Sequence, residues 1–196
     1  MSLLVLVLTP DNPCNTTITN QETEEVIFHV STEHDSKRST TFLKDANGNT
    51  LASWEWHDVR SDTVKLGDAE PVPSSAWLHK SIIPFVDTVT FKDDTGRQFK
   101  WKGLSGGAQL ELYSQDDKKN PIVAFRKSLR FVNRKVNPPV PDFRPATLIL
   151  DPRGQEIINL ALISFLMLEK NRRISETSSA SVASSLAIQT DIRKLV

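Results

Sequence analysis

The residues that lend themselves most directly to chemistry are positive. Lys118, Lys119, Arg126, Lys127, Arg130, Arg134 and Lys135 put seven cations into 18 residues with no acid among them. On an extended strand Arg126, Ser128 and Arg130 share one face, and Lys127, Leu129 and Phe131 the other. A wet face carrying Arg126 and Arg130, flanked by Lys118/Lys119 and Arg134/Lys135, could hold phosphate oxygens through charge-assisted hydrogen bonds. The bland counterpart is a solvated strand balanced by acids elsewhere on the surface.

Other reactive residue types form weaker patterns. His29, His34, His57 and His79 have no metal-ligand spacing, and His29 and His57 fall on the polar faces of predicted strands. In Trp54-Glu55-Trp56-His57-Asp58 alternation sends the two indoles inward and Glu55 and His57 outward, so the aromatics read as core. Gly103-Leu104-Ser105-Gly106-Gly107 lacks the Gly-Lys-Ser/Thr and following helix of a phosphate loop, and reads as a flexible connection. Cys14 has no basic neighbour in sequence to activate its thiol. Arg172-Arg173-Ile174-Ser175 has the form of a basophilic kinase site. No catalytic residue set, metal site or cofactor motif emerges.

Composition narrows the setting. A chain of 196 residues, 38% apolar and 24% charged, fits one folded domain. Lys plus Arg equals Asp plus Glu at 24 each, so no global field draws it to nucleic acid or anionic membrane, and any such partner must be met by a local patch. The lone Cys14 excludes an internal disulfide and a Cys-rich zinc site. The apolar run 3–8 has no basic residue before it and is short for a signal peptide; a strand explains it better. Together these predict a cytoplasmic protein.

The elements that must position these residues are mostly strands. Apolar residues alternate with polar ones at 26–30, 52–57, 88–92, 98–102 and 108–113, the period of a sheet with one buried and one wet face. Asp45-Ala46-Asn47-Gly48-Asn49 and Asp93-Asp94-Thr95-Gly96 sit between such runs as hairpin turns do. Pro-rich segments at 70–75 and 137–145 read as loops, the second breaking the sheet before a final strand at 146–150. Asp151-Pro152 then opens a helix, Asp as N-cap and Pro in the first turn. From Gln155 to Asn171 this helix is apolar on every side, its stretch 157–168 interrupted only by Asn159 and Ser164, so it must be enclosed. Its 12-residue apolar stretch, 157–168, is short of the roughly 20 residues a membrane span needs. Residues 174–196, rich in Ser and Ala, read as a mobile tail after a domain of residues 1–173.

Many strands followed by one apolar C-terminal helix resembles the tubby C-terminal-like architecture, shared by tubby proteins, phospholipid scramblases and plant LURP-one-related proteins. The segments MSLLVLVLTPDNPCNTTIT and ILDPRGQEIINLALISFLMLEKNRR are, more narrowly, similar to a family of uncharacterised proteins from mushroom-forming fungi. The resemblance implies an antiparallel β-barrel of about 12 strands around the helix. It also makes phosphoinositide headgroups the first ligand to test, because tubby-like domains include members that bind them on a basic surface.

Two function classes follow. One is a non-enzymatic module that binds an anionic ligand (a phosphoinositide or other phosphate-bearing surface) or a protein partner through the basic region, nucleic acid being the weaker partner. The other is an enzyme acting on phosphodiesters, as ribonucleases do, or on lipids, through scattered polar residues. Scramblase-like transport is disfavoured because the one apolar helix is needed inside.

Overall fold

The structure, a computed structural model, describes residues 2–36, 38–57, 61–83, 86–135 and 137–193, with side chains up to residue 178. The first half of the chain is a meander of β1 (Leu4–Thr9), β2 (Thr16–Asn20), β3 (Val26–His34), β4 (Ser39–Asp45), β5 (Thr50–Trp56), β6 (Thr63–Leu66) and β7 (Val72–Pro73). A single helical turn, α1 (Ser74–Trp77), leads into a second meander: β8 (His79–Lys80), β9 (Thr88–Lys92), β10 (Gln98–Lys102), β11 (Glu111–Ser114) and β12 (Val123–Arg126). After β13 (Leu129–Asn133) and β14 (Val140–Arg144) the chain returns as β15 (Ala146–Leu150), then enters α2 (Pro152–Glu156) and α3 (Ile158–Arg193).

Thirteen strands form one antiparallel sheet in the order β7-β6-β5-β4-β3-β2-β1-β15-β12-β11-β10-β9-β8. β15 is the keystone: it pairs with β1 along Leu4–Leu150 to Leu8–Ala146 and with β12 along Val123–Leu150 to Arg126–Thr147. Both predicted hairpin turns join paired strands, β4 to β5 and β9 to β10. The run at 3–8 lies almost wholly in β1 and the final strand falls at 146–150 as expected.

The helix lies where its apolarity demands. Ala161, Leu162, Ile163, Ser164, Phe165 and Leu166 are fully buried, and they share one core with Leu6, Trp54, Phe91, Trp101, Phe125 and Leu148 from strands across the sheet. Phe165 packs on Phe125 and on Trp101, while Lys170 sits 3.7 Å over the ring of Trp56 on the far side. A sheet that touches opposite sides of one helix is curled around it. Ser164 meets its predicted need for a partner: Trp101 Nε1 donates to its Oγ at 2.9 Å, and the hydroxyl donates to the Leu160 carbonyl. Asn159 has no such need, because the helix is exposed there.

Four expectations are corrected. In place of a closed barrel of about 12 strands, the described residues form an open sheet: among them no ladder joins edge strands β7 and β8, which are consecutive in the chain and linked by α1. The helix does not stop at Asn171; α3 runs on to Arg193, since no Gly or Pro follows Gly154 to end it. The Pro-rich segment 137–145 leaves the main sheet but is not a loop, because it contains β14, where Pro141 is tolerated in a two-stranded ribbon. The glycine segment 103–107 is a shaped turn rather than a slack one. Gly103 has φ +80°, and a Cβ there would lie 1.8 Å from the Gln109 carbonyl oxygen.

The N-terminal cap of α2 is as predicted. Asp151 accepts from the Gly154 N–H at 2.8 Å, and Pro152 occupies the first turn. Gly154 is buried against the Ile122 carbonyl, where a Cβ would sit at 2.4 Å, so the helix can enter close to the start of β12.

Candidate basic cleft and its projecting ribbon

β12 and β15 are the base of a longer hairpin. Arg126 stands opposite Thr147 and Leu129 opposite Arg144, the pairing an uninterrupted ladder would give across the gap. The ladder lapses at Lys127-Ser128 for two reasons. Pro145 has no N–H to donate. Ser128 instead gives its N–H (3.0 Å) and its hydroxyl (2.6 Å) to one carboxylate oxygen of Asp11, in the β1–β2 connection. Beyond this point β13 and β14 pair only with each other and leave the sheet as a free ribbon, about 17 Å long at ~3.4 Å per residue.

Asp11 also ties the ribbon's root to the helix. Arg173 donates Nη1 to the Asp11 carbonyl at 2.7 Å and Nη2 to its carboxylate, and Nε to Glu169 at 2.7 Å. Glu169, fully buried, accepts from Arg172 as well, whose Nη1 donates to the Ala108 carbonyl at 2.7 Å. Burial raises the Asp11 pKa, but hydrogen bonds from Ser128 and Arg173 outweigh it and hold the carboxyl below its ordinary value. Both arginines of the apparent kinase motif are held in this network.

Between the ribbon root and the helix lies a cleft of about 520 Å³, floored by Leu110 and Phe125 and walled by Gly107–Gln109, Arg126–Leu129, Arg144, Arg172 and Glu176. Arg126 and Arg144 approach it from β12 and β14 without an acidic partner among the described residues. Lys127 reaches Glu176 at 3.3 Å. The cleft is thus lined by two arginines without an acidic partner among the described residues and by Lys127, over an apolar floor, and such side chains are donors suited to phosphate oxygens.

The predicted cations do not all meet here. Arg126 and Lys127 line the cleft. Arg130 lies on the ribbon, and Arg134 and Lys135 follow the end of β13. Lys118 and Lys119 are at the opposite end of β12, in the connection from β11, where Asp117 accepts from the Lys119 N–H and pairs with Arg153 beside the helix start. Lys118 there shares a separate hollow of about 300 Å³ with Lys100, Lys102 and Tyr113. Burial and a hydrogen bond to Glu111 push the Tyr113 phenol up to about 12, and Lys102 Nζ lies 3.7 Å over its ring. Arg144 escaped the sequence reading because it lay in the supposed Pro loop, and Arg172 was read only as part of a kinase-like motif. The signal for Arg144 was the complementary pattern of 123–133 and 140–150, which pair as one hairpin.

The other singled-out residues have structural surroundings. His57 is not a surface residue; its side chain is mostly buried, with Nε2 3.4 Å from both Glu55 and Thr63. His34 Nδ1 is 2.8 Å from Ser39 Oγ, and His29 and His79 are exposed. Burial pushes the Cys14 thiol up, against the pull of nearby Lys170 and Arg173. Among the described residues no group of three or more His, Cys, Asp and Glu side chains could hold a metal ion, and no helix is long and apolar enough to cross a membrane.

A large antiparallel sheet, a helix packed in its core and a cleft lined by arginines define a mainly β fold. The chain belongs to DUF6593, a family of unknown function, which it matches over residues 11–174. No curated protein and no solved structure matches it.

Proposed function

We propose that the protein is a non-enzymatic module that holds a phosphate-bearing ligand or surface in the cleft between the ribbon and the helix. The observation that supports this reading is that Arg126 and Arg144, both without an acidic partner among the described residues, line one cleft at the root of a single hairpin. Lys127 would join them if an anion displaced Glu176. Lys118 and Lys119 fall outside this site. The tubby-like reading of the fold is part of the same proposal, supported by the buried helix and by edge strands that are neighbours in sequence. The lone cysteine supports a reducing, cytoplasmic setting.

The test is titration of the full chain with inositol hexakisphosphate and, separately, with vesicles containing phosphatidylinositol phosphates. The double variant Arg126→Glu/Arg144→Glu should weaken both by tenfold or more, about 1.4 kcal/mol, whereas Lys118→Glu/Lys119→Glu should leave both unchanged. Binding of the soluble ligand alone would identify a free phosphate compound rather than a membrane lipid. Equal affinity of the arginine variant and the parent would sink the proposal.

A further inference from the structure

The ribbon carries an unusual load for a segment whose strands pair only with each other. Leu129 (47%), Phe131 (41%), Val132 (55%), Val140 (41%) and Phe143 (56%) are all substantially exposed. Directly opposed residues share a face, so Leu129, Phe131 and Val140 lie on one side, and Val132, Pro141 and Phe143 on the other. Two strands alone have no interior in which to hide either set. Interleaved with them are Arg130 and Arg144, with Arg134 and Lys135 just beyond β13, and the only acid on the two strands is Asp142.

From this we infer that the β13–β14 ribbon is an interfacial anchor that lies in the headgroup region of an anionic lipid bilayer. The occupant is set by two features. Apolar side chains on both faces fit immersion in a medium that surrounds the ribbon; a flat protein surface would cover one face and leave the other wet. The excess of cations disfavours pairing with the same ribbon of a second copy and complements anionic headgroups, with the arginine stems able to follow the apolar surface while their guanidinium groups stay with phosphate. The ribbon leaves the sheet at the basic cleft, so Arg126 and Arg144 would face the same lipid layer; in this the inference rests on the phosphate-binding reading and extends it to a membrane.

The experiment is co-sedimentation of the full chain with phosphatidylcholine vesicles, with and without phosphatidylserine, alongside inositol hexakisphosphate titration. Phe131→Ser/Val132→Ser/Phe143→Ser alters only exposed side chains and keeps every charge, and far-UV dichroism confirms its folding. It should lower partition into the phosphatidylserine vesicles by about tenfold or more while leaving the soluble polyphosphate affinity as in the parent. In a second arm, the indole introduced by Phe143→Trp should shift its emission to the blue on these vesicles and be quenched by brominated lipid, beyond what the native tryptophans show. Undiminished sedimentation of the triple variant, or no lipid quenching of the new indole, would overturn the anchor; so would a ribbon-dependent dimer without lipid. A failed phosphate reading would show up separately, as polyphosphate binding that survives Arg126→Glu/Arg144→Glu.

Discussion

Ser164 and Asp11 show how single polar atoms fix the interior. Ser164 Oγ accepts the hydrogen bond of the buried Trp101 indole and, by donating to Leu160, leaves none of its own polarity stranded. Ser164→Ala should cost about 1–3 kcal/mol, because it strands a buried N–H while barely changing volume; the midpoint of urea unfolding measures this. For Asp11 the sign of the pH effect follows from its lowered pKa. A carboxyl held below its ordinary 3.8 contributes stability that is fully present above that value and is lost as pH falls through the lower, folded-state value. Acid unfolding of the parent should therefore show a limb below pH 3.8 that Asp11→Asn lacks, and the variant should be the less stable of the two at neutral pH.

At the level of elements, the ribbon is separable from the fold and the glycine turn is not. Replacing residues 129–144 by an Asn-Gly turn should change the thermal midpoint little, because the apolar side chains it removes from β13 and β14 are exposed and the β12–β15 ladder stays intact. Gly103→Ala should be far more damaging, since the new Cβ would run into the Gln109 backbone at a positive φ; differential scanning calorimetry would rank the two. Strand positions and the helix were legible in the sequence because burial writes periodicity: Val89/Phe91 and Phe99/Trp101 face inward as alternation requires. β14 was not, because its exposed side chains carry no such signal and the prolines around it mimic a loop. The site was half legible for the same reason. Arg126 and Lys127 stood out as a linear charge cluster, whereas Arg144 reaches the cleft only through a pairing between distant segments, and Lys118 and Lys119 belonged to the cluster in sequence but not in space.

For the whole molecule, the open edge is the weakest line. β7 and β8 have two residues each and a single neighbour, while β1, β15 and β12 are flanked on both sides and packed on the helix. Native-state hydrogen exchange should run from the β6–β7 and β8–β9 edges inward, with the amides of β15 the last to exchange. Uniform protection across the sheet would show that the edges are closed by something besides α1.

The keystone position of β15 has a consequence for how the chain can be divided. Because the two meanders are joined covalently at α1 but zipped together along β1 and β15, a cut at Ser74–Trp77 severs the backbone where it contributes least to cohesion. The resulting pieces, one a sheet of seven strands and the other the remaining strands with the helix, are natural candidates for a split protein: co-expressed as separate chains, they should find each other through the β1–β15 seam and elute as one species.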